Sequence, residues 1–356
     1  MREDSVPHEL RTAAEPRQNR LYNVRLSQIV QVNPTIRLLR LALPPSTTEQ
    51  TQESLDEQQQ QPFTFLPGQW LDVHIPSIPQ AGGFTITSTP KDTEILPTPG
   101  PSFQSLPAKE DGHPPVNLQG REPYVELAVQ KSPSNPPAAW LWRPKEEIIG
   151  KELSVRVGGS FVWPPSGIDI GDTRNVVFVA GGVGINPLIS MLSHITETST
   201  SLPSPTQIHF LYSTRLSSPS DPEPDLEPTS AISSNSTEEA LNQILFLPRL
   251  REIARSTTHS PTQRLLISLD LYLTNLHQHP DLAKALLSGK HSAPSDVTIH
   301  DRRIQTEDLR AAVGDGRRTV CFVCGPPGMT DEVVGVLRGL VSQEDGKDRV
   351  FCEKWW

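Results

Sequence analysis

Cysteine is scarce. Three cysteines in 356 residues cannot build a disulfide framework, so a reducing, intracellular compartment is expected. Positive charge is also in short supply: 32 Lys and Arg face 41 Asp and Glu, for a net charge of −9. That balance argues against a nucleic-acid-binding surface, which needs cations in excess to neutralise phosphates. No apolar run approaches the ~18 residues a membrane span requires, so none is expected. No internal repeat is visible. The first twenty residues mix Arg2, Arg11, Arg17 and Arg20 with Glu3, Asp4, Glu9 and Glu15. A mitochondrial presequence is normally poor in acid. Residues 1–20 are therefore expected to be a disordered tail, or the product of a trimmed start, and the choice between mitochondrion and cytosol stays open.

Proline is abundant instead, at 36 residues, about twice the usual share. It collects with Ser, Thr, Gln and acid in Ser46–Pro62, Lys91–Gly120, Glu197–Thr206 and Ser217–Thr237, which read as polar insertions. Between them the chain changes character at about Asp172. Before it lie short, partly alternating strands: Val24–Val32, Ile36–Leu43, Trp70–Ile75, Phe84–Ser88, Tyr124–Gln130 and Leu153–Val157. In Trp70–Ile75, Asp72 and His74 share one face, and Leu71, Val73 and Ile75 the other. After it, near-continuous apolar runs (Val176–Ala180, Ile208–Tyr212, Leu265–Tyr272, Thr319–Val323) alternate with helical or mixed segments at Pro187–His194, Glu238–Ile253, Asp281–Leu287 and Thr330–Leu340. The expected fold is an antiparallel β-barrel over 21–171, followed by an α/β parallel-sheet nucleotide-binding domain over 172–356.

Asn175–Met191 is the most informative stretch. A buried strand ends in Gly181, Gly182, Val183 and Gly184; Ile185 and Asn186 follow, and Pro187 sits where a first helical residue would, with φ already set for a helix. Glycines let a pyrophosphate approach the backbone, and the helix dipole favours an anion. The spacing is not the standard GxGxxG, and a turn needed only for strand–helix packing is the alternative. The next strand runs into Ser213, Thr214 and Arg215. An acid near that place would meet a ribose; here Arg215 could meet a 2′-phosphate, or be an ordinary solvated arginine. NAD(H) and NADP(H) both stay open.

Cys321 and Cys324 end a further strand in the turn Cys324-Gly325-Pro326-Pro327-Gly328-Met329. Zinc would need two more soft ligands and only Cys352 remains, so no metal is expected. Cys321 reads as a small core residue, whereas Cys324 lies where ligands of open α/β sheets bind.

Together these features resemble the ferredoxin–NADP reductase superfamily. Pro67-Gly68-Gln69-Trp70 is similar to its PGQY strand, and Gly82-Gly83-Phe84-Thr85-Ile86-Thr87-Ser88 to its RxYSxxS flavin motif. Within it the chain resembles the oxidoreductase NAD-binding domain-containing protein 1 family through Asn135–Trp140, Val155–Gly159, Ala180–Leu188 and Glu353–Trp356. The resemblance implies FAD on the barrel and nicotinamide on the second domain. Phe84 would lie against the flavin, Thr85 near its N5, and Ser88 would close the motif. Cys324 and Gly325 would border the nicotinamide. Glu353 would serve a proton path or polarise the site. Trp355 would cover the flavin, or simply close the last strand.

The family's motif opens on an arginine that pairs with the flavin diphosphate; Gly82 stands there. Its second phosphate contact is replaced by Asn135–Leu141, where Pro136 and Pro137 could open a short helix whose N-terminus, at Pro137 and Ala138, faces the diphosphate, with Lys131 replacing part of the missing charge, or form only a surface proline turn. Weakly held FAD and no flavin are both compatible with these changes. The expected activity is hydride transfer from NADH or NADPH through FAD to a separate, unidentified acceptor. The alternatives are a redox-inactive NAD(H)-binding sensor or scaffold and, more weakly, a direct dehydrogenase, for which no His or Tyr–Lys arrangement is evident.

Overall fold

The structure is a computed structural model and describes residues 7–44, 62–94, 122–198, 202–216, 234–258, 264–287, 296–341 and 348–355. Of the expected insertions, Ser46–Pro62, Lys91–Gly120 and Ser217–Thr237 lie largely outside these residues, and Trp356 lies wholly outside them; Glu197–Thr206 lies mostly within them, with Leu202 buried and Thr206 opening a strand.

After α1 (His8–Arg11), the first half contains β1 (Tyr22–Asn33), β2 (Ile36–Ala42), β3 (Trp70–His74), β4 (Gly82–Thr85), β5 (Tyr124–Gln130), α2 (Pro136–Leu141), α3 (Lys145–Ile148) and β6 (Glu152–Gly158). The strands form one antiparallel sheet in the order β4-β3-β6-β1-β2-β5. A bridge between Ile86 and Leu127 ties the β4 edge back to β5 and closes the barrel. Alternation sets its inside: Leu71 and Val73 pack with Leu39, Leu127 and Val155. Asn135 caps α2 with its side chain, and Pro136 and Pro137 follow with φ preset for a helix.

The second half is a parallel sheet flanked by helices. Its elements are β7 (Asn175–Gly181), α4 (Ile185–Glu197), β8 (Thr206–Thr214), α5 (Ser234–Asn242), α6 (Leu247–Thr258), β9 (Leu265–Leu273), α7 (Pro280–Leu287), β10 (Thr298–His300), α8 (Thr306–Val313), β11 (Thr319–Gly325), α9 (Pro327–Leu340) and β12 (Val350–Lys354). The order is β10-β9-β8-β7-β11-β12. Every residue of β7 is buried, as a strand covered on both faces requires. From β7 the chain builds outward on one side through β8, then returns to add β11 on the other. The sheet therefore reverses its winding between β7 and β11, and their C-terminal ends frame a crevice.

The two halves share a core. Phe161 and Trp163, beyond β6, pack on Phe322 with ring centroids 5.7 and 5.8 Å away. Ser190 Oγ donates to the Ser88 carbonyl at 2.7 Å, and Arg249 Nη2 pairs with the buried Glu126 at 2.7 Å. Among the described residues no helix is long and apolar enough to cross a membrane.

Three expectations need correction. The helical or mixed segment read over Glu238–Ile253 is two helices with wider outer bounds, α5 and α6, and Phe246 at the break is buried with φ 58°. Burial of that ring imposes a left-handed backbone that local propensity would not choose. The helix read from Pro187 begins at Ile185, after a single 3₁₀ turn over Gly182–Gly184. Residues 7–20, expected to be disordered, pack against the barrel: Arg17 Nε reaches the fully buried Asp72 at 2.9 Å, and Gln18 N–H donates to the Val157 carbonyl at 2.9 Å. The cause is charge, because a carboxylate this deep needs cations and the tail carries one.

Candidate functional site

The glycine loop lies at the crevice. Gly182 and Val183 are partly exposed, whereas Gly181, Gly184, Ile185 and Asn186 are buried. A Cβ on Gly184 would stand 2.2 Å from the Cys324 carbonyl oxygen, so only glycine lets the loop pass β11. Gly182 has φ +55° and nothing within 4 Å of a hypothetical Cβ, so its backbone faces open space. No side chain caps α4. The N-terminal end of a 13-residue helix thus opens beside a bare loop, an arrangement that attracts phosphate.

The loop's expected members do not all face a ligand. Ile185 is a core residue, and its N–H bonds back to Gly182 and Val183. Asn186 Nδ2 donates to the Ala128 carbonyl at 3.2 Å, tying α4 to the barrel; its Oδ1 is buried without a hydrogen-bond partner. Contact is left to Gly182 and Val183. Arg215 is exposed just past β8 and has no partner among the described residues. These residues fit a nicotinamide dinucleotide: bare amides and a helix dipole for its phosphates, and a free cation beyond the neighbouring strand.

Cys324, Gly325, Glu353 and Trp355 converge on the same edge. Cys324 pairs in register with Glu353. The Trp355 N–H donates to the Gly325 carbonyl at 3.0 Å, and its indole Nε1 donates to Glu353 Oε2 at 3.2 Å. Glu353 is half-buried, with its carboxylate held by that indole. Burial pushes its pKa up to about 8; the Trp355 indole offsets part of this and the Glu15 charge adds to it. Cys324 is wholly buried, and burial, then Glu353, push its thiol up. It stays protonated at neutral pH and is no nucleophile.

The barrel side is mixed. Thr85 is buried, and its Oγ1 has no hydrogen-bond partner among the described residues. It pairs in register with Trp70. Phe84, expected against a flavin, instead turns its ring into the barrel core, because β4 pairs it with Leu71 on the inner face. A Cβ on Gly82 would stand 2.5 Å from Phe84 Cε2 and 2.6 Å from Pro137 Cβ, so position 82 lacks both the cation and the room for one. α2 forms where expected, but the Ala138 N–H is turned to the Asn135 side chain at 3.4 Å, and Pro137 and Ala138 are buried. Ser88 Oγ accepts from the Glu126 N–H at 3.0 Å and ties strands together. Thr85 fits the ring end of a flavin. The expected diphosphate grip is absent.

The geometry defines a class of fold: a closed antiparallel barrel joined to a parallel α/β sheet, the two-domain fold of the ferredoxin reductases. Residues 173–336 match the ferric reductase NAD binding domain family. The chain is similar, along nearly its whole length, to the oxidoreductase NAD-binding domain-containing protein 1 family; the protein of that name from Danio rerio is 28% identical over 353 residues, 98% of this chain and 97% of that one. A cytochrome P450 reductase from Amycolatopsis superposes with a TM-score of 0.54 at 15% identity, over 96% of this chain and 70% of that one. A ferredoxin NADP+ reductase from Neisseria gonorrhoeae, with bound FAD and NADP, superposes with a TM-score of 0.53 at 11% identity, over 95% and 100%. Sequence reasoning missed Asp72, His8 and Arg17 as one cluster. The lone acid on one face of Trp70–Ile75 was the available signal.

Proposed function

We propose that this chain is an NAD(P)H-dependent oxidoreductase that works with an exchangeable flavin and passes electrons to a separate acceptor. The observation that carries it is the partly exposed Gly182–Val183 backbone at the crevice between β7 and β11, with Glu353 and Trp355 at the end of the next strand, β12. The bare amides and the α4 dipole would hold the dinucleotide's phosphates and orient its nicotinamide toward the barrel. The raised pKa of Glu353 lets its carboxyl keep a proton at pH 7, and the Trp355 indole fixes its direction. The core shared by the two sheets excludes water behind the crevice. A flavin, when bound, supplies the hydride acceptor. Thr85 Oγ1 offers that ring a hydroxyl with no other partner.

A second reading, an NAD(H)-binding sensor without redox activity, draws on Gly82 and on the Asn135-capped Ala138 amide, which leave a flavin diphosphate without its expected contacts. One titration separates them. The purified chain is mixed with FAD and NADH, and loss of the NADH absorbance is followed with and without a generic electron acceptor. Turnover that needs FAD supports the oxidoreductase. Calorimetric NADH binding with neither FAD affinity nor NADH oxidation would leave the sensor.

A further inference from the structure

The outer face of β4 is closed by the chain's own N-terminal segment. The buried ring of His8 stands over Gly83, where an added Cβ would lie 2.1 Å from it. His8 also packs edge-on against Trp70 at 4.6 Å, and its Nε2 is 3.3 Å from Asp72 Oδ1. Arg17 lies 4.8 Å above the Trp70 ring and shares Asp72 Oδ2 with Arg156 Nη2, at 2.9 and 2.8 Å. Glu15 Oε2 accepts from Ser160 N–H at 3.1 Å and from the Ser160 hydroxyl at 2.6 Å. Trp70, Asp72, Gly83 and Thr85 occupy one face of β3 and β4 by register. An imidazole and a guanidinium therefore occupy the face from which a planar ring would approach Thr85.

The segment is held mainly by polar contacts. It adds no strand to the barrel; its backbone attaches through the bridge from Arg17 to Gly158 and two flanking hydrogen bonds, Gln18 N–H to Val157 and Gly159 N–H to Pro16, both 2.9 Å, and its side chains through Arg17 and His8 on Asp72, Glu15 on Ser160 and Gln18 on the Thr64 carbonyl. Leu10 is 68% exposed, so the apolar burial holding α1 is small. Segments with few apolar contacts open at low free energy. On the same face Thr85 Oγ1 is buried without a partner among the described residues, a cost that a ligand hydrogen bond would relieve.

We propose that residues 7–20 form a movable strap, clamped on Asp72 by His8 and Arg17, and that a flavin ring reaches Thr85 only when the strap lifts. This rests on the flavin-dependent reading above. The test titrates FAD, and separately NADH, into the full chain and into a His8→Ala/Arg17→Ala variant. The strap predicts FAD affinity at least tenfold tighter in the variant, with NADH affinity unchanged. It also predicts that saturating FAD speeds amide exchange at Gln18 and Gly159 in the parent. Gly83→Ala, which ejects the His8 ring and leaves both side chains on the strap, is expected to tighten FAD in the same direction. Should the double variant fail to fold, shown by lost NADH binding, Gly83→Ala and the parent's exchange decide. Equal FAD affinity in parent and variants, or unchanged exchange on saturation, overturns the strap while the flavin reading stands. If none of the proteins takes FAD while all bind NADH, the flavin reading fails and the strap fails with it.

Discussion

Gly182→Ala separates nucleotide binding from folding at one position. An added Cβ meets nothing within 4 Å, so the substitution creates no clash inside the protein. Its cost to stability comes from φ +55°, a left-handed backbone that disfavours an L side chain by ~1–2 kcal/mol. A phosphate resting on the same backbone would meet the methyl group directly. Displacing it from one or two amides removes charge-assisted hydrogen bonds worth ~1.5–3 kcal/mol each. At ~1.4 kcal/mol per decade, NADH affinity should fall by roughly tenfold to more than a hundredfold. Calorimetric titration gives the affinity, and thermal unfolding confirms that the variant is folded. An unchanged NADH Kd in a folded Gly182→Ala protein would refute a phosphate site on this loop.

Gly184→Ala should behave in the opposite way. Its Cβ would stand 2.2 Å from the Cys324 carbonyl oxygen and 2.7 Å from the Gly325 nitrogen, both backbone, so we expect a loss of ~1–3 kcal/mol or more in denaturant unfolding, with or without nucleotide. Glu353 makes the protein less stable as pH rises. Its folded pKa, about 8, lies above its ordinary value of 4.5, so its neutral form is favoured and stability falls between those values. Glu353→Gln should flatten that fall and gain most over the parent near pH 9; a melting difference that is constant from pH 4 to 9 would contradict it. Asp72 has the opposite sign. Burial alone would raise its pKa, but His8, Arg156 and Arg17 hold it well below the carboxylate range, so its contribution is complete above ~4 and is lost as pH falls further. Asp72→Ala strands two arginines and should cost ~3–5 kcal/mol at pH 7, with a shallower acid limb in the pH–stability curve.

The strands and the order of the elements were legible in the sequence because each depends on near neighbours. Val176–Ala180 reads as a doubly buried strand from its own side chains, and Gly181–Gly184 followed by Pro187 marks a strand–loop–helix join without knowledge of the rest. The break at Phe246 was not legible, since a left-handed residue there is imposed by burial from elsewhere. Nor was the division of labour within the loop. Gly182 and Gly184 look alike in the chain, yet one faces open space and the other touches β11, more than 130 positions away.

By itself the sequence determined two sheets of different character and a glycine loop suited to a dinucleotide. Tertiary structure alone decided what lies over the outer face of β3 and β4. Asp72 alternates with core residues and reads as a surface acid, yet it is fully buried because Arg17 and His8 return to it from the N-terminus. Periodicity reports which way a side chain points. What covers it is settled by chain brought from a distance, and at this barrel charge pairing drew that chain across the face that carries Thr85.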